Sequence, residues 1–198
     1  FIVTHRFGDI GGDFGGFKSF YGLDNSTDIQ IAFDYGISDR WSAGIGRVKG
    51  APNNINTHQD QLIYFNTKYR LIRQTEDDRI PFSVTLFGNS AVSVMKKTDL
   101  ATSDADFQTF GDRMSYVAQA VMSRKFSDNL SLAILPTYIR RNYVSYMDMN
   151  NLFALGVGGR IKVSRWMAVI VDYVIPFRKE DSKDYFREER DFRFYNPL

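Results

Sequence analysis

Residues 37–45 read ISDRWSAGI, a phrase that returns at residues 126–134 as FSDNLSLAI and, shortened, at residues 163–170 as VSRWMAVI. Each copy lies between stretches in which apolar and polar residues alternate, the pattern of β-strands with one apolar face. Because Ser and Asp side chains hydrogen-bond the backbone two residues further on, each copy predicts a tight turn. The connections between these hairpins are longer. Short turns at one end and long loops at the other are typical of an outer-membrane β-barrel.

Composition narrows the class of protein. The 198 residues suit one β domain, and residues 1–198 are expected to form it as a single unit. A 43% hydrophobic and 15% aromatic content coexists with a mean hydropathy of −0.30, which suits a sheet with one apolar face. The net charge of +2 gives little ground for nucleic-acid binding. The absence of Cys excludes disulfides and thiolate metal sites, and we expect no cofactor and no metal.

Alternation along the chain predicts about nine strands. In the clearest, 27–37, Ile29, Ile31 and Phe33 share one face, and Asp28 and Asp34 lie on the other. Most candidates reach the about nine to eleven residues that a membrane-crossing strand needs, whereas strands of soluble β-proteins are usually shorter. The predicted ranges are 1–7, 27–37, 41–48, 61–72, 82–95, 114–126, 130–140, 152–163 and 166–175.

The expected fold is therefore all-β: an antiparallel, up-and-down transmembrane β-barrel of about ten to twelve strands, with short periplasmic turns and long external loops. Its apolar face would meet the lipid bilayer of a bacterial outer membrane. In the alternative, a soluble barrel, that face would form the core. Residues 178–191 are expected to be a charged external loop, and residues 192–198 the start of a tenth strand, since bacterial barrels usually have even strand numbers.

Several motifs in the first fifty residues resemble those of a known protein family. They are His5-Arg6-Phe7-Gly8, Phe20-Tyr21-Gly22-Leu23-Asp24, Tyr35-Gly36-Ile37-Ser38-Asp39-Arg40 and Gly44-Ile45-Gly46-Arg47. Together they resemble the signature of an outer-membrane β-barrel family of Bacteroidota whose function is unknown. The resemblance implies the fold and the location, and it supplies no catalytic residues. Members of that family continue for several strands beyond a point like Pro197, which implies that this chain is incomplete at its C-terminus.

Charged residues on the polar faces of the strands are the main functional lead. An interior of about eight to twelve strands is narrow, and a buried, unpaired charge costs several kcal/mol. Pairing into a closed network is therefore favoured, with a narrow channel for small solutes or ions as the alternative. Either Lys125 or Arg124, and either Arg140 or Arg141, would join the charges expected to line the lumen, which are Asp28, Asp34, Lys68, Arg70, Arg160, Lys162 and Asp172.

Aromatic residues gather at both ends of the predicted strands, as in the two girdles that mark membrane interfaces. Those near the long loops are Tyr138, Tyr143, Tyr146, Phe153 and Phe177. Those near the short turns are Tyr35, Trp41, Phe82, Phe126 and Trp166.

The Gly-rich loop 8–22 interleaves Phe14, Phe17, Phe20 and Tyr21 with glycines and acidic residues. The loop could fold into the barrel mouth as a plug, bind calcium through carboxylates, or dock an envelope protein through exposed aromatics. In the simplest interpretation it is a solvated connection whose aromatics pack on the rim. Exposed Phe107 and Phe110 are expected at the same end of the barrel, which makes that end the place for a protein partner.

The sequence contains little that indicates a catalytic site. His5 and His58 are the two histidines, no Ser stands out as a nucleophile, and no nucleophile elbow, zinc motif or phosphate loop is present. A membrane-embedded hydrolase using His5 is the last alternative. The sequence thus predicts a non-enzymatic barrel that acts as a structural or partner-docking envelope component, with a narrow channel as the runner-up.

Overall fold

A single antiparallel sheet makes up most of the computed structural model. The structure describes residues 1–7, 16–24, 26–50, 61–97, 106–144 and 147–190. The strands follow one another in space in chain order, and each pairs with the next. They are β1 (Ile2–Phe7), β2 (Ser26–Gly36), β3 (Trp41–Lys49), β4 (Gln61–Ile72), β5 (Ser83–Ser93), β6 (Met114–Lys125), β7 (Leu130–Arg141), β8 (Asn151–Lys162) and β9 (Ala168–Phe177).

The three Ser turns share one geometry. The N–H groups of Ile37, Phe126 and Val163 donate to the carbonyl four residues later at 2.8, 2.9 and 3.0 Å. The hydroxyls of Ser38, Ser127 and Ser164 accept the N–H three residues later at 3.2, 3.1 and 3.1 Å. The third copy is therefore as long as the other two and not shortened. As a result, Trp166 lies within the turn, and β9 begins at Ala168 rather than at Trp166.

The two faces of the sheet differ in chemistry. The outer face carries exposed apolar side chains, among them Phe33, Phe65, Phe153 and Tyr173. The inner face carries small and polar residues together with the most buried positions, which include Ala32, Tyr64, Asn66, Thr137 and Leu152. A small core of Ala32, Tyr64 and Ala91 lies on this inner face, with Val48 and Leu62 packed against it.

After β9 the chain forms helix α1, Glu180–Arg190. The expectation of an external loop at 178–191 is wrong for this stretch. Glu180 and Asp181 occupy the first turn, where carboxylates interact favourably with the helix N-terminus, and the segment holds neither Gly nor Pro. Among the described residues, no helix is both long and apolar enough to span a membrane.

Nine strands lie within the described part of the chain, and β1 and β9 form its two edges. Both strands run in the same direction, because each of the eight successive pairs is antiparallel. The tenth strand predicted from residues 192–198 lies outside the described residues.

Candidate functional site

The strand register brings the predicted lumen charges to one face. On β4, Lys68 lies opposite Phe87 and Arg70 opposite Thr85, while Asp172 of β9 lies opposite Gly158. The register also decides the two open choices: Lys125 pairs with Ser131 and Arg141 with Ser115, which places both on the inner face. Arg124 and Arg140 take the outer face. By alternation along β2, Asp28 lies on the same face as Asp34. The inner face thus carries the seven predicted charges: Asp28, Asp34, Lys68, Arg70, Arg160, Lys162 and Asp172.

A polar network crosses the inner face from β2 to β4. Lys68 Nζ donates to Asp34 Oδ2 at 3.2 Å, and Asn66 Nδ2 lies 3.4 Å from Asp34 Oδ1. The Gln30 amide donates to the Tyr64 hydroxyl. Tyr64 and Asn66 are each 7% exposed. The charges at Asp34 and Lys68 therefore neutralise each other within a set of neutral hydrogen-bonding groups.

Two glycines of β3 provide the room for this network. A Cβ at Gly46 would lie 2.4 Å from the Tyr64 hydroxyl oxygen, and a Cβ at Gly44 would lie 2.0 Å from Asp34 Oδ1. A side chain at Gly44 would displace Asp34, and a side chain at Gly46 would displace Tyr64. The glycines therefore let Tyr64 and Asp34 lie against the wall of the sheet. Both of these side chains line a cavity of about 460 Å³ on the inner face.

A second cluster lies at the long-loop end and was not predicted. Asp148, in the β7–β8 loop, accepts from Arg141 Nη2 at 2.9 Å and from Arg178 Nη1 at 2.5 Å. All three side chains are 10–11% exposed. The cluster joins the end of β7, the loop after it and the end of β9. In the sequence, the one feature that pointed to this cluster is Asp148, a single acidic residue between two Met residues. That signal is weak.

Phe107 belongs to the same end, and the expectation that it is exposed is wrong. It is 3% exposed, because the Arg113 guanidinium lies 4.3 Å above its ring and Tyr143 packs edge-on at 5.7 Å. Arg113 also donates to the carbonyls of Ser93 and Met95. We call Phe107, Arg113, Arg141, Asp148 and Arg178 the long-loop cap.

Asp112 stabilises the turn that carries Phe107. Its carboxylate accepts the N–H groups of Thr109 at 2.7 Å and Gln108 at 2.9 Å. The Thr109 N–H, as the largest influence, holds the pKa of Asp112 below its usual value. The carboxylate is therefore charged at neutral pH and keeps both hydrogen bonds.

The loop between β1 and β2 presents its aromatics to solvent. Phe17 is 84% exposed, and Phe20 and Tyr21 are also exposed. Phe20 and Tyr21 have φ angles of 48° and 56°, a left-handed conformation that is costly for bulky residues. Phe14 lies outside the described residues. On the cap side, Phe110 is exposed, as predicted.

A family comparison decides the identity of this architecture. Residues 1–198 match the model of DUF5777, described as a membrane-bound β-barrel domain. The chain belongs to this family. No curated protein matches it. A DUF5777 barrel is in contact with a lipid bilayer, and in this chain the outer face is the surface that offers exposed apolar side chains.

In this DUF5777 chain, the aromatics expected at the short turns lie at that end of the sheet. Tyr35, Trp41, Phe82, Phe126 and Trp166 are all exposed. At the other end, Phe153 and Phe177 are exposed, and the Tyr138 ring lies 5.0 Å from that of Phe153. Tyr143 also lies at this end, where its ring packs on Phe107 in the cap. Tyr146 lies outside the described residues.

The described residues of the DUF5777 chain hold no group of three His, Cys, Asp or Glu side chains placed to bind a metal ion. Asp9 and Asp13, the carboxylates that a calcium site in loop 8–22 would use, lie outside those residues. His5 takes its place on β1, where it pairs with Ile29 of β2.

Proposed function

We propose that this DUF5777 barrel lies in a bacterial outer membrane and acts there, without catalysis, as a structural or partner-docking component of the envelope. The long-loop cap carries the proposal. Its Arg141–Asp148–Arg178 cluster is almost fully buried and links three segments of the chain. A buried, hydrogen-bonded ion cluster holds one geometry, since separating its members leaves uncompensated charge.

A rigid cap favours docking. Binding by a flexible loop costs the free energy of ordering it, whereas a surface that is already fixed avoids that cost. Contacts of Phe107 with Arg113 hold residues 106–113 before β6, and Asp148 holds residues 147–150 before β8. The cap is therefore a preformed binding surface for a partner.

Exposed aromatics at the same end of the sheet supply contact surface. Phe17, Phe20 and Phe110 lie in the long connections and are exposed. Aromatic residues are enriched in protein interfaces, and exposed apolar groups favour association. Because single-chain outer-membrane barrels place their short turns in the periplasm, the long-loop end would face outward. The expected partner is thus an envelope protein at the outer surface.

Replacing Phe17 and Phe20 with Ser tests docking. We expect the double variant to keep its unfolding free energy and to lose proteins that co-purify with the wild-type barrel from native membranes. Phe126→Ser is the control, since Phe126 is an exposed aromatic at the opposite end. Unchanged co-purification in both variants contradicts docking through this loop. Lost stability of the double variant indicates instead that the loop plugs its own barrel.

A narrow channel for small solutes or ions is the second candidate, and the inner-face cavity favours it. Asp34 and Lys68 line this cavity of about 460 Å³. In planar bilayers, a channel would show unitary currents, and Lys68→Glu would shift its selectivity toward cations. The docking proposal predicts no unitary currents from the purified wild-type protein.

A further inference from the structure

The inner-face cavity has the size and lining of a ligand site. Its volume of about 460 Å³ falls within the range of about 300 to 1,000 Å³ that small-molecule sites occupy. Gln30, Asn66 and Asn89 contribute amides to its wall, Tyr64 and Phe87 contribute aromatic rings, and Asp34 and Lys68 contribute opposite charges.

The charges of this lining favour a neutral ligand. Asp34 and Lys68 form an ion pair at 3.2 Å, so neither presents an uncompensated charge to the cavity. An anionic ligand attracted by Lys68 would be repelled by Asp34, and the reverse holds for a cationic ligand, so the pair as a whole favours neither charge.

The amides retain unused hydrogen-bonding capacity. Within the described residues, the Asn89 side chain makes no hydrogen bond. Asn66 has one contact, its donor group at 3.4 Å from Asp34, and its carbonyl oxygen accepts none. An amide offers a donor and an acceptor side by side. That arrangement matches adjacent hydroxyl groups, each of which both donates and accepts.

Two aromatic side chains of the lining suit the apolar part of a ligand that carries hydroxyl groups. Tyr64 is fixed against Gly46, which leaves no space for a Cβ, and Phe87 lies opposite Lys68 on the neighbouring strand. Aromatic rings offer flat apolar surface, which suits the C–H face of a pyranose ring. We propose that the inner-face cavity of this chain binds a short neutral saccharide, with Asn66 and Asn89 bonding its hydroxyls and the rings of Phe87 and Tyr64 contacting its apolar face.

Calorimetric titration of the purified barrel tests this site. The protein is kept in lauryldimethylamine oxide, a detergent without a sugar headgroup, and is titrated with glucose, galactose, maltose and lactose to millimolar concentration. Succinate and putrescine serve as charged probes. We expect saturable binding of at least one sugar and none of the charged probes. Asn66→Leu and Asn89→Leu should each weaken sugar binding about five- to tenfold, because each removes a hydrogen bond to the ligand.

Gln119→Leu is the matched control. Gln119 is an amide on the same inner face, but it bonds Thr137 and does not line the cavity. Its loss should leave sugar affinity unchanged, and circular dichroism should show that all three variants retain the wild-type sheet. Absence of binding by all four sugars overturns the proposal, as does equal binding by both Asn variants and the wild type. Binding of succinate or putrescine in place of the sugars overturns the assignment to a neutral ligand.

This site is independent of the docking role. The docking variants change the loop between β1 and β2, whereas the cavity is lined by strand residues of the inner face. A chain that loses its partner on Phe17→Ser and Phe20→Ser should therefore still bind sugar, and the two proposals can fail separately.

Discussion

Single residues decide the local structure at two places, the inner-face cavity and the long-loop cap. Near the cavity, the missing side chains of Gly44 and Gly46 allow Asp34 and Tyr64 to lie against β3. In the cap, one carboxylate, that of Asp148, holds two guanidinium groups. At the cavity, the position of the large side chains depends on glycines that leave room for them. In the cap, the position of two charged side chains depends on a single shared carboxylate.

Removal of the Asp148 charge should destabilise the barrel strongly. Asp148→Asn would leave Arg141 and Arg178 buried without their shared carboxylate, at a cost of about 3 to 5 kcal/mol in unfolding free energy. The measurement is urea unfolding in liposomes, followed by tryptophan fluorescence. Asp128→Asn is the control, because its ion pair with Lys125 lies at an exposed turn and contributes little. Equal losses in the two variants would contradict the role of the cap cluster.

The depth of an outer-face residue should set its tolerance of charge. Val157 lies at the middle of β8, and Ile161 lies one residue from its end on the same face. Val157→Arg should cost about 2 to 4 kcal/mol, and Ile161→Arg about 0 to 1 kcal/mol, because a charge near the interface keeps its hydration. The same liposome unfolding assay measures both. If the two costs are equal, the outer face does not lie across the hydrocarbon layer in this way.

At the scale of elements, hairpins joined by the same Ser turn organise the sheet. The turns after β2, β6 and β8 repeat one pattern, in which a Ser hydroxyl accepts N–H groups two and three residues later. Because this pattern is local, it forms in hairpins of otherwise different sequence. The turn between β4 and β5 differs, since Gln74 bonds across to the backbone of Lys125.

The three Ser turns should contribute equally and additively. Ser38→Ala, Ser127→Ala and Ser164→Ala should each lower the unfolding free energy by about 1 kcal/mol, because each removes the acceptor for two backbone N–H groups at a solvated turn. The triple variant should lose about 3 kcal/mol, since the turns share no partners. Liposome unfolding of the single and triple variants checks this. A triple loss far larger than the sum would show that the turns are coupled.

At the scale of the whole molecule, the strand lengths fit a thin bilayer. An eleven-residue strand such as β2 is about 36 Å long at ~3.3 Å per residue. Tilted by about 45°, it spans about 25 Å, the height of the apolar band of outer-membrane barrels. The exposed apolar residues of the outer face form the surface that this band requires.

Bilayer thickness should therefore control insertion. We expect faster and more complete folding into vesicles of twelve-carbon lipids than into vesicles of eighteen-carbon lipids, because the thicker bilayer leaves a hydrophobic mismatch at both strand ends. Protease protection and the shift in gel migration of folded barrels measure the folded fraction. Equal yields in both lipids would contradict the match between strand length and a thin hydrocarbon layer.

The sequence by itself determined the features that depend on neighbouring residues. A period of two assigned Ile31 and Phe33 to one face of β2 and Asp34 to the other, and the Ser phrase located three turns, since both signals act within a few residues. Only the tertiary structure decided the burial of Phe107, the choice of Arg141 over Arg140 and the ion cluster of Asp148. Arg178 lies thirty residues from Asp148 in the chain, and no local pattern encodes a contact that forms only when β7 and β9 flank the same strand.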